Sequence, residues 1–328
     1  MTIQEKIRSR EAKIAVVGLG PVGLRAAVTF ARAGLTVIGV DTDRSNVDQV
    51  NSGRSCVAGI PDAEIAQLIR TESGTTGQLR AVADYESLVE ADAVILCVPT
   101  EITDSKEHAL DHIRAAVHEI GRRLQSGQLI VVESATYPGM TEQVVLPLLT
   151  GEHFLVGEDF YLASSPARAD TGQRDWARET TPKVIGGVTS SCIITASSLY
   201  CYAYQKVVLV SSTRAAEMVT SVENIFQAAN INIGNEVALM RENLGVDVRE
   251  VIDATATDLK TGTKYSEPTF SAKLIPIGSP LLRGSGNAIQ LPGQDCEIIE
   301  DNNFERPGVL CCVALNSPNQ RTNSREDL

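Results

Sequence analysis

The sequence predicts an α/β protein built on a doubly wound parallel sheet, and three observations carry that prediction. Short, continuously apolar runs alternate with helix-like stretches through the first 150 residues. A glycine-rich turn, Gly18-Leu-Gly20-Pro-Val-Gly23, lies between the first run and the first helix. An acidic residue, Asp41, closes the second run. Runs that are apolar at every position are buried on both faces, as happens when helices cover a parallel sheet from both sides.

Taken in order, Lys13-Ile-Ala-Val-Val17 is the first strand, and residues 21–33 read as a helix stopped by Gly34. Leu35-Thr-Val-Ile-Gly-Val40 is the second strand. Ala93-Val-Ile-Leu-Cys-Val98 and Gln128-Leu-Ile-Val-Val132 are further strands, separated by a helix-like stretch over 107–124. Asp41, Pro99 and Glu133 stand at strand ends, and in such sheets ligands lie beyond the carboxyl ends of the strands. These elements make a first domain over 1–150. A second region, 151–260, is helical. Within it, apolar positions recur at steps of three or four over 213–244, one long helix of roughly 45 Å at about 1.5 Å per residue. A helix of that length is a spine between domains or a subunit contact, and a homodimer through 213–244 is the expectation. From 261 to 328 the helical period is lost. Six of the 13 prolines lie between Pro268 and Pro318, so an irregular tail is expected.

The chain's 328 residues suffice for about two domains. Its 43% hydrophobic and 21% charged content is that of a globular protein rather than a disordered one. With 29 Lys+Arg against 41 Asp+Glu, the net charge of -12 opposes binding to nucleic acid or to anionic membranes. A small anionic ligand is still allowed, because local backbone dipoles can outweigh a global charge. The start, Met1-Thr-Ile-Gln-Glu-Lys6, has no apolar signal core, and no apolar run approaches the roughly 18 residues of a membrane span. The seven cysteines (56, 97, 192, 201, 296, 311 and 312) are scattered without a C-x-x-C pair, which points to a reducing compartment and away from a zinc site. The expectation is a soluble, cytoplasmic protein without a metal.

The glycine turn has a mechanical reading. Gly18 makes the tight turn, Gly20 lets the backbone approach a pyrophosphate, and Gly23 allows close helix–strand packing at a helix N-terminus that offers free N–H groups. Asp41, 18 residues beyond Gly23, would accept hydrogen bonds from an adenosine ribose and repel a 2′-phosphate. NAD is therefore expected over NADP, although Arg44 nearby weakens that preference.

These residues, together with Gly39-Val-Asp-Thr-Asp43, Ile95-Leu-Cys-Val-Pro-Thr100, Val132-Glu-Ser-Ala-Thr-Tyr-Pro-Gly139, Ser165-Pro-Ala-Arg-Ala-Asp-Thr-Gly172, Ala215-Ala-Glu-Met-Val-Thr-Ser-Val-Glu-Asn224, Asn235-Glu236 and Val251-Ile-Asp253, occur in one order over roughly residues 12 to 258. In that order they resemble the UDP-glucose/GDP-mannose dehydrogenase family, and most closely its branch acting on UDP-N-acetylhexosamines such as UDP-GlcNAc and UDP-ManNAc. The resemblance implies an N-terminal Rossmann domain, a central helix forming a dimer core, and a C-terminal nucleotide-binding domain that the divergent tail at 261–328 replaces here. It also implies an NAD site lined by Gly18, Gly20, Val22, Gly23, Asp41, Val98, Pro99, Thr100 and Ser134.

The family reaction takes a CH2OH group to a carboxylate by two hydride transfers, the second through a cysteine thioester. It needs a thiol and proton-handling side chains. By that resemblance, Thr220 stands where a lysine is expected, Ala167 where a glutamate is, and Ala135 where a threonine is; the cysteine segment after Val251-Ile-Asp253 is absent. Asn224 is retained, and with Thr220 it makes an i, i+4 pair on one helix face. Thr220 and Asn224 are thus the candidate catalytic positions. The reading is an NAD-dependent oxidoreductase of the nucleotide-sugar dehydrogenase type, acting on a CH–OH group of a sugar or nucleoside-like substrate without the thioester step. Two alternatives stay open: a catalytically silent NAD-binding dimeric scaffold, and a 6-dehydrogenase that uses Cys296 as a replacement thiol. His108, His112 and His118 read as a solvated helix face and His153 as structural. Tyr200, Tyr202 and Tyr204 read as one face of a strand beside 207–210. Trp176 with Arg168, Arg174 and Arg178 reads as a substrate-side loop or a plain surface loop.

Overall fold

A computed structural model describes residues 1–70, 78–99, 110–134, 137–150, 154–167 and 182–225, together with Ala229 and Glu250. Its strands are β1 (Lys13–Val17), β2 (Thr36–Val40), β3 (Gln78–Val82), β4 (Ala93–Leu96), β5 (Leu129–Val132), β6 (Tyr161–Ser164), β7 (Lys183–Gly187) and β8 (Val207–Leu209). They form one sheet in the order β3-β2-β1-β4-β5-β6-β7-β8. Neighbours run parallel except β6 and β7, which pair antiparallel through Ala163 with Gly187 and Ser164 with Gly186. The chain winds outward from β1 to β3, then returns to place β4 on the other side of β1. That reversal leaves a crevice at the carboxyl ends of β1 and β4, the usual ligand position in such sheets.

Alternation of side chains across the pleat divides the core in two. Ile14, Val16, Ala93, Ile95, Leu129 and Val131 face one layer, packed with Leu24, Ala27 and Phe30 of α2 (Gly23–Arg32) and with Leu199 and Tyr200 of α7 (Ser190–Ala203). Ala15, Val17, Val94, Leu96, Ile130 and Val132 face the other, against Ile113, Val117 and Ile120 of α5 (Asp111–Gly121) and Leu149 of α6 (Leu146–Thr150). Each fully buried aliphatic side chain contributes about 1.5–3 kcal/mol, so these central strands hold the frame. Three further helices complete it: α1 (Ile3–Ser9), closed at its start by a reciprocal Thr2–Glu5 capping box, α3 (Arg44–Asn51) and α4 (Asp62–Arg70).

The expected domain boundary at 150 falls within this sheet, because β6, β7 and β8 continue it to residue 209. The tyrosines do not lie on a strand. Thr189 caps α7 by accepting from the Cys192 N–H, and Tyr200 and Tyr204, one turn apart, stack at 5.6 Å with their planes 19° apart. Tyr202 points the other way, its hydroxyl 3.0 Å from the Arg8 carbonyl. A period of two among three tyrosines is equally a helical i, i+4 pair with an outlier. His112 and His118 lie exposed on α5; His108, His153, Trp176 and its arginines lie outside the described residues. Among the described residues, no helix is long and apolar enough to cross a membrane.

The helix expected over 213–244 is seen from 213 to 225 (α8), and its remainder and the tail lie outside the described residues. At its start the Thr213 hydroxyl donates to Glu142 at 2.7 Å and Arg214 pairs with the same carboxylate at 3.1 Å. Two further contacts lie deeper. Gly186 lets β7 come so close that a Cβ there would stand 2.0 Å from the Ser212 carbonyl oxygen. Glu217, fully buried, accepts from the N–H groups of Gly139 (2.6 Å) and Thr141 (3.0 Å) and from the Thr141 hydroxyl (2.6 Å). It thereby caps the π-helical turn Thr141–Val145 that runs into α6. Burial pushes the Glu217 carboxyl up, and the hydrogen bonds from Thr141 and Gly139 oppose that shift. Glu217→Ala should destabilise the fold by about 3 kcal/mol by stripping three donors of a charged acceptor. A urea unfolding midpoint reports this, and an unchanged midpoint would show that α8 is held by other means.

Candidate functional site

The turn after β1 is built so that its three glycines answer different demands. Gly18 has φ 91°, donates its N–H to the Val40 carbonyl at 2.7 Å, and would place a Cβ 2.8 Å from the Cys97 carbonyl oxygen. A Cβ on Gly23 would lie 1.7 Å from the Gly18 carbonyl oxygen, so only glycine lets α2 sit this close to the turn. Gly20 is different: among the described residues, a Cβ there meets nothing within 4 Å. The protein itself makes no use of the missing side chain, and the open space lies beside the start of α2. That helix carries no side-chain cap at Val22 and no acidic residue in its first turn. Its positive end is left to a ligand, the arrangement that suits a phosphate.

Asp41 faces this turn. Its Oδ2 accepts from the Leu19 N–H at 2.8 Å and from Asn46 Nδ2 at 3.2 Å, while Oδ1 accepts from the Asp43 N–H at 2.9 Å. The carboxylate is therefore fixed in place on the rim of the crevice. A fixed negative charge here favours ribose hydroxyls and opposes a 2′-phosphate. Cys56 Sγ lies 3.4 Å from the Leu19 carbonyl; burial pushes its thiol up, with Asp41 and Asp43 adding to the shift, so it stays neutral. The residues present suit an adenine dinucleotide: an open glycine, uncapped N–H groups for the diphosphate and an oriented carboxylate for the ribose.

Across the crevice the structure brings Val98 against Gly18, whose Cβ position is 3.2 Å from the Val98 Cα. Pro99 is exposed at the rim, and Thr100 lies outside the described residues. Ser134 is buried, its hydroxyl donating to the Val98 carbonyl at 2.9 Å, so it ties the end of β5 to the end of β4. Val22 is half-buried and packs on the core beneath the turn. Thr220 is buried and Asn224 half-buried on α8. Among the described residues, no hydrogen bond joins either to the glycine turn or to Ser134. Ala167 is half-buried with its N–H 3.1 Å from the Glu133 carbonyl; Ala135 and Cys296 lie outside the described residues.

Sequence reasoning missed Asn46, Glu217 and the partners of Glu133. The signal for Asn46 was the spacing Asp41-x-Asp43-x-x-Asn46, in which Asp43 caps α3 and turns Asn46 back toward Asp41. Glu217 and Glu133 find partners far away in the chain, which no local pattern announces.

Residues 12–205 match the NAD binding domain of the UDP-glucose/GDP-mannose dehydrogenase family, and residues 214–277 match its central domain. The UDP-N-acetyl-D-mannosamine dehydrogenase of Pyrococcus horikoshii is 32% identical over 247 residues, which is 75% of this chain and 57% of that protein. The NDP-N-acetyl-D-galactosaminuronic acid dehydrogenase of Ralstonia nicotianae is 35% identical over 246 residues, 73% of this chain and 56% of that protein. Among solved structures, the UDP-D-ManNAc dehydrogenase of P. horikoshii superposes with a TM-score of 0.68 at 31% identity, covering 78% of this chain and 60% of that one. GDP-mannose dehydrogenase from Pseudomonas aeruginosa, solved as a ternary complex, gives 0.67 at 26% identity, covering 77% and 58%. The chain thus spans under two thirds of the length of these relatives. With both domain models matched in order, and the glycine turn and Asp41 arranged as a dinucleotide cradle, the chain belongs to the UDP-glucose/GDP-mannose dehydrogenase family.

Proposed function

We propose that this protein is an NAD-dependent oxidoreductase that removes a hydride from a CH–OH group of a sugar, with a nucleotide sugar as the substrate class, and stops at the carbonyl. The observation that carries the cofactor half is the open space at Gly20 beside an uncapped α2, faced by a fixed Asp41. NAD, when bound, supplies the hydride acceptor. Gly18 and Gly23 shape the turn, the N-terminus of α2 receives the diphosphate, Asp41 receives the adenosine ribose, and Val98, Pro99 and Ser134 form the opposite lip, with Thr100 next in sequence. The single-step reading rests on Thr220 and Ala167. Neither side chain titrates near neutrality, and loss of one acid–base partner typically costs about a hundred- to ten-thousand-fold in rate. Asn224 is left to orient the substrate hydroxyl, with Thr220 beside it.

The same two residues favour a second reading, an NAD-bound scaffold without turnover. We further propose a cytoplasmic homodimer through α8, whose outer face presents Met218 (44% exposed) and Val222 (51% exposed) one turn apart. The proposed division of the chain sets the dinucleotide-binding sheet before α8, and a substrate-side and dimer region from α8 onward.

Incubation with NAD and a panel of UDP-sugars separates the readings. One equivalent of NADH per substrate supports the single transfer, two support a thioester route through a thiol such as Cys296, and none across the panel supports the scaffold. Gly20→Ala should leave the melting temperature within a degree or two of wild type but weaken NAD binding about tenfold, because the added methyl occupies ligand space alone. Gly23→Ala should lower the melting temperature and abolish binding together; calorimetric titration and thermal melts distinguish the two. Val222→Glu should convert a dimeric light-scattering mass to a monomeric one, and a monomeric wild type would rule the interface out.

A further inference from the structure

Beneath the lip of the crevice lies a buried polar cluster that the dinucleotide cradle does not use. Glu133 directly follows β5, and its side chain is 2% exposed. Its Oε2 lies 2.8 Å from Lys183 Nζ, and its Oε1 accepts from the Tyr200 hydroxyl at 2.5 Å. Lys183, itself 11% exposed, stands over the Tyr200 and Tyr204 rings at 5.6 and 5.4 Å from their centroids. Burial pushes the Tyr200 hydroxyl well up, with Glu133 adding to the shift, so it remains a donor. The neighbouring Cys97 thiol is pushed up by burial and by the same carboxylate.

Taking two charges out of water costs several kcal/mol per ion, and an apolar replacement of similar volume is often as stable. What an ion pair with a directed hydroxyl adds over an apolar plug is direction. The direction is imposed on a junction. The Glu133 N–H bonds the Leu96 carbonyl at 2.9 Å, and its own carbonyl receives the Ala167 N–H at 3.1 Å. The next residue, Ser134, bonds Leu96 through its N–H and Val98 through its hydroxyl. The ends of β4, β5 and β6 therefore meet at Glu133. Lys183 reaches the same edge because β7 runs antiparallel to β6, so its first residue lies where the others have their last. Asp41 and the glycine turn occupy the β1–β2 side of the crevice, and this junction lies under the β4–β5 side, where the second half of a dinucleotide rests.

We propose that Glu133, held by Lys183 and Tyr200, is a positioning residue for the nicotinamide half of the cofactor, acting through Ser134 and Val98. This rests on the cofactor reading above. The test is calorimetric titration of NAD and, separately, ADP, which fills only the adenosine side, into wild type and the E133Q/K183M double variant. E133Q alone leaves the lysine buried without its carboxylate and should melt at lower temperature; the double variant removes both charges and should melt near wild type. Its NAD Kd is expected to rise about tenfold with the ADP Kd unchanged. Tyr200→Phe, which deletes only the hydroxyl, should shift the NAD Kd in the same direction by about two- to threefold, again without moving ADP, and decides the matter if the double variant does not fold. An unchanged NAD Kd, or equal weakening of NAD and ADP, overturns the positioning role while leaving the cofactor reading intact. A wild type that binds neither ligand overturns both.

Discussion

The approach of α2 to the end of β1 is the constraint from which the rest of the crevice follows. A single methyl group on Gly23 would overlap the Gly18 carbonyl, so the helix can start where it does only because residue 23 has no side chain. That proximity aims the uncapped N-terminus of α2 across the carboxyl ends of the strands instead of past them. It also sets Gly18 against Cys97 and Val98, which fixes the spacing between the β1 and β4 sides. Were α2 displaced by the width of a methyl group, Leu19 could no longer offer its N–H to Asp41 while its side chain fills the space over Gly39. Packing and polarity at the site are one arrangement.

Much of this frame could be read from the residues alone, for a physical reason. β1, β2, β4 and β5 are apolar at consecutive positions because both faces are covered, and such runs stand out from an amphipathic background. The outer part of the sheet lacked that mark. β6 is Tyr-Leu-Ala-Ser with a polar atom at each end, β7 opens on a lysine and closes on two glycines, and β8 is largely exposed. Their place is set by pairing with strands already present rather than by their own composition. In the site, the glycine turn and Asp41 were legible because their spacing is local. The cap that Glu217 supplies to residues 76 and 78 positions away, and the meeting of Glu133 with Lys183 and Tyr200, depend on the tertiary fold.

On the function proposed above, the chain would keep the half of the family's machinery that binds and depart from the half that moves protons. Every described residue of the glycine turn is in place, whereas alanine at 167 and threonine at 220 offer no titrating group. The sheet does not record this difference: Ala167 still closes a main-chain hydrogen bond to Glu133, and Thr220 still packs on α8 below its docking glutamate.

The three donors already seated on Asp41 have a consequence for what the rim can accept. A carboxylate has about four lone-pair directions, and Leu19, Asp43 and Asn46 take three. On the cofactor reading proposed above, the ribose would find an acceptor that needs no ordering but, among the described residues, has one lone-pair direction untaken. Two hydroxyls of a vicinal diol must share it, or one must displace the Asn46 amide, the longest of the three contacts at 3.2 Å. On that reading, the stringency of this rim toward diols, deoxy sugars and phosphorylated sugars would be governed less by the acid itself than by how firmly a neighbouring amide keeps its place.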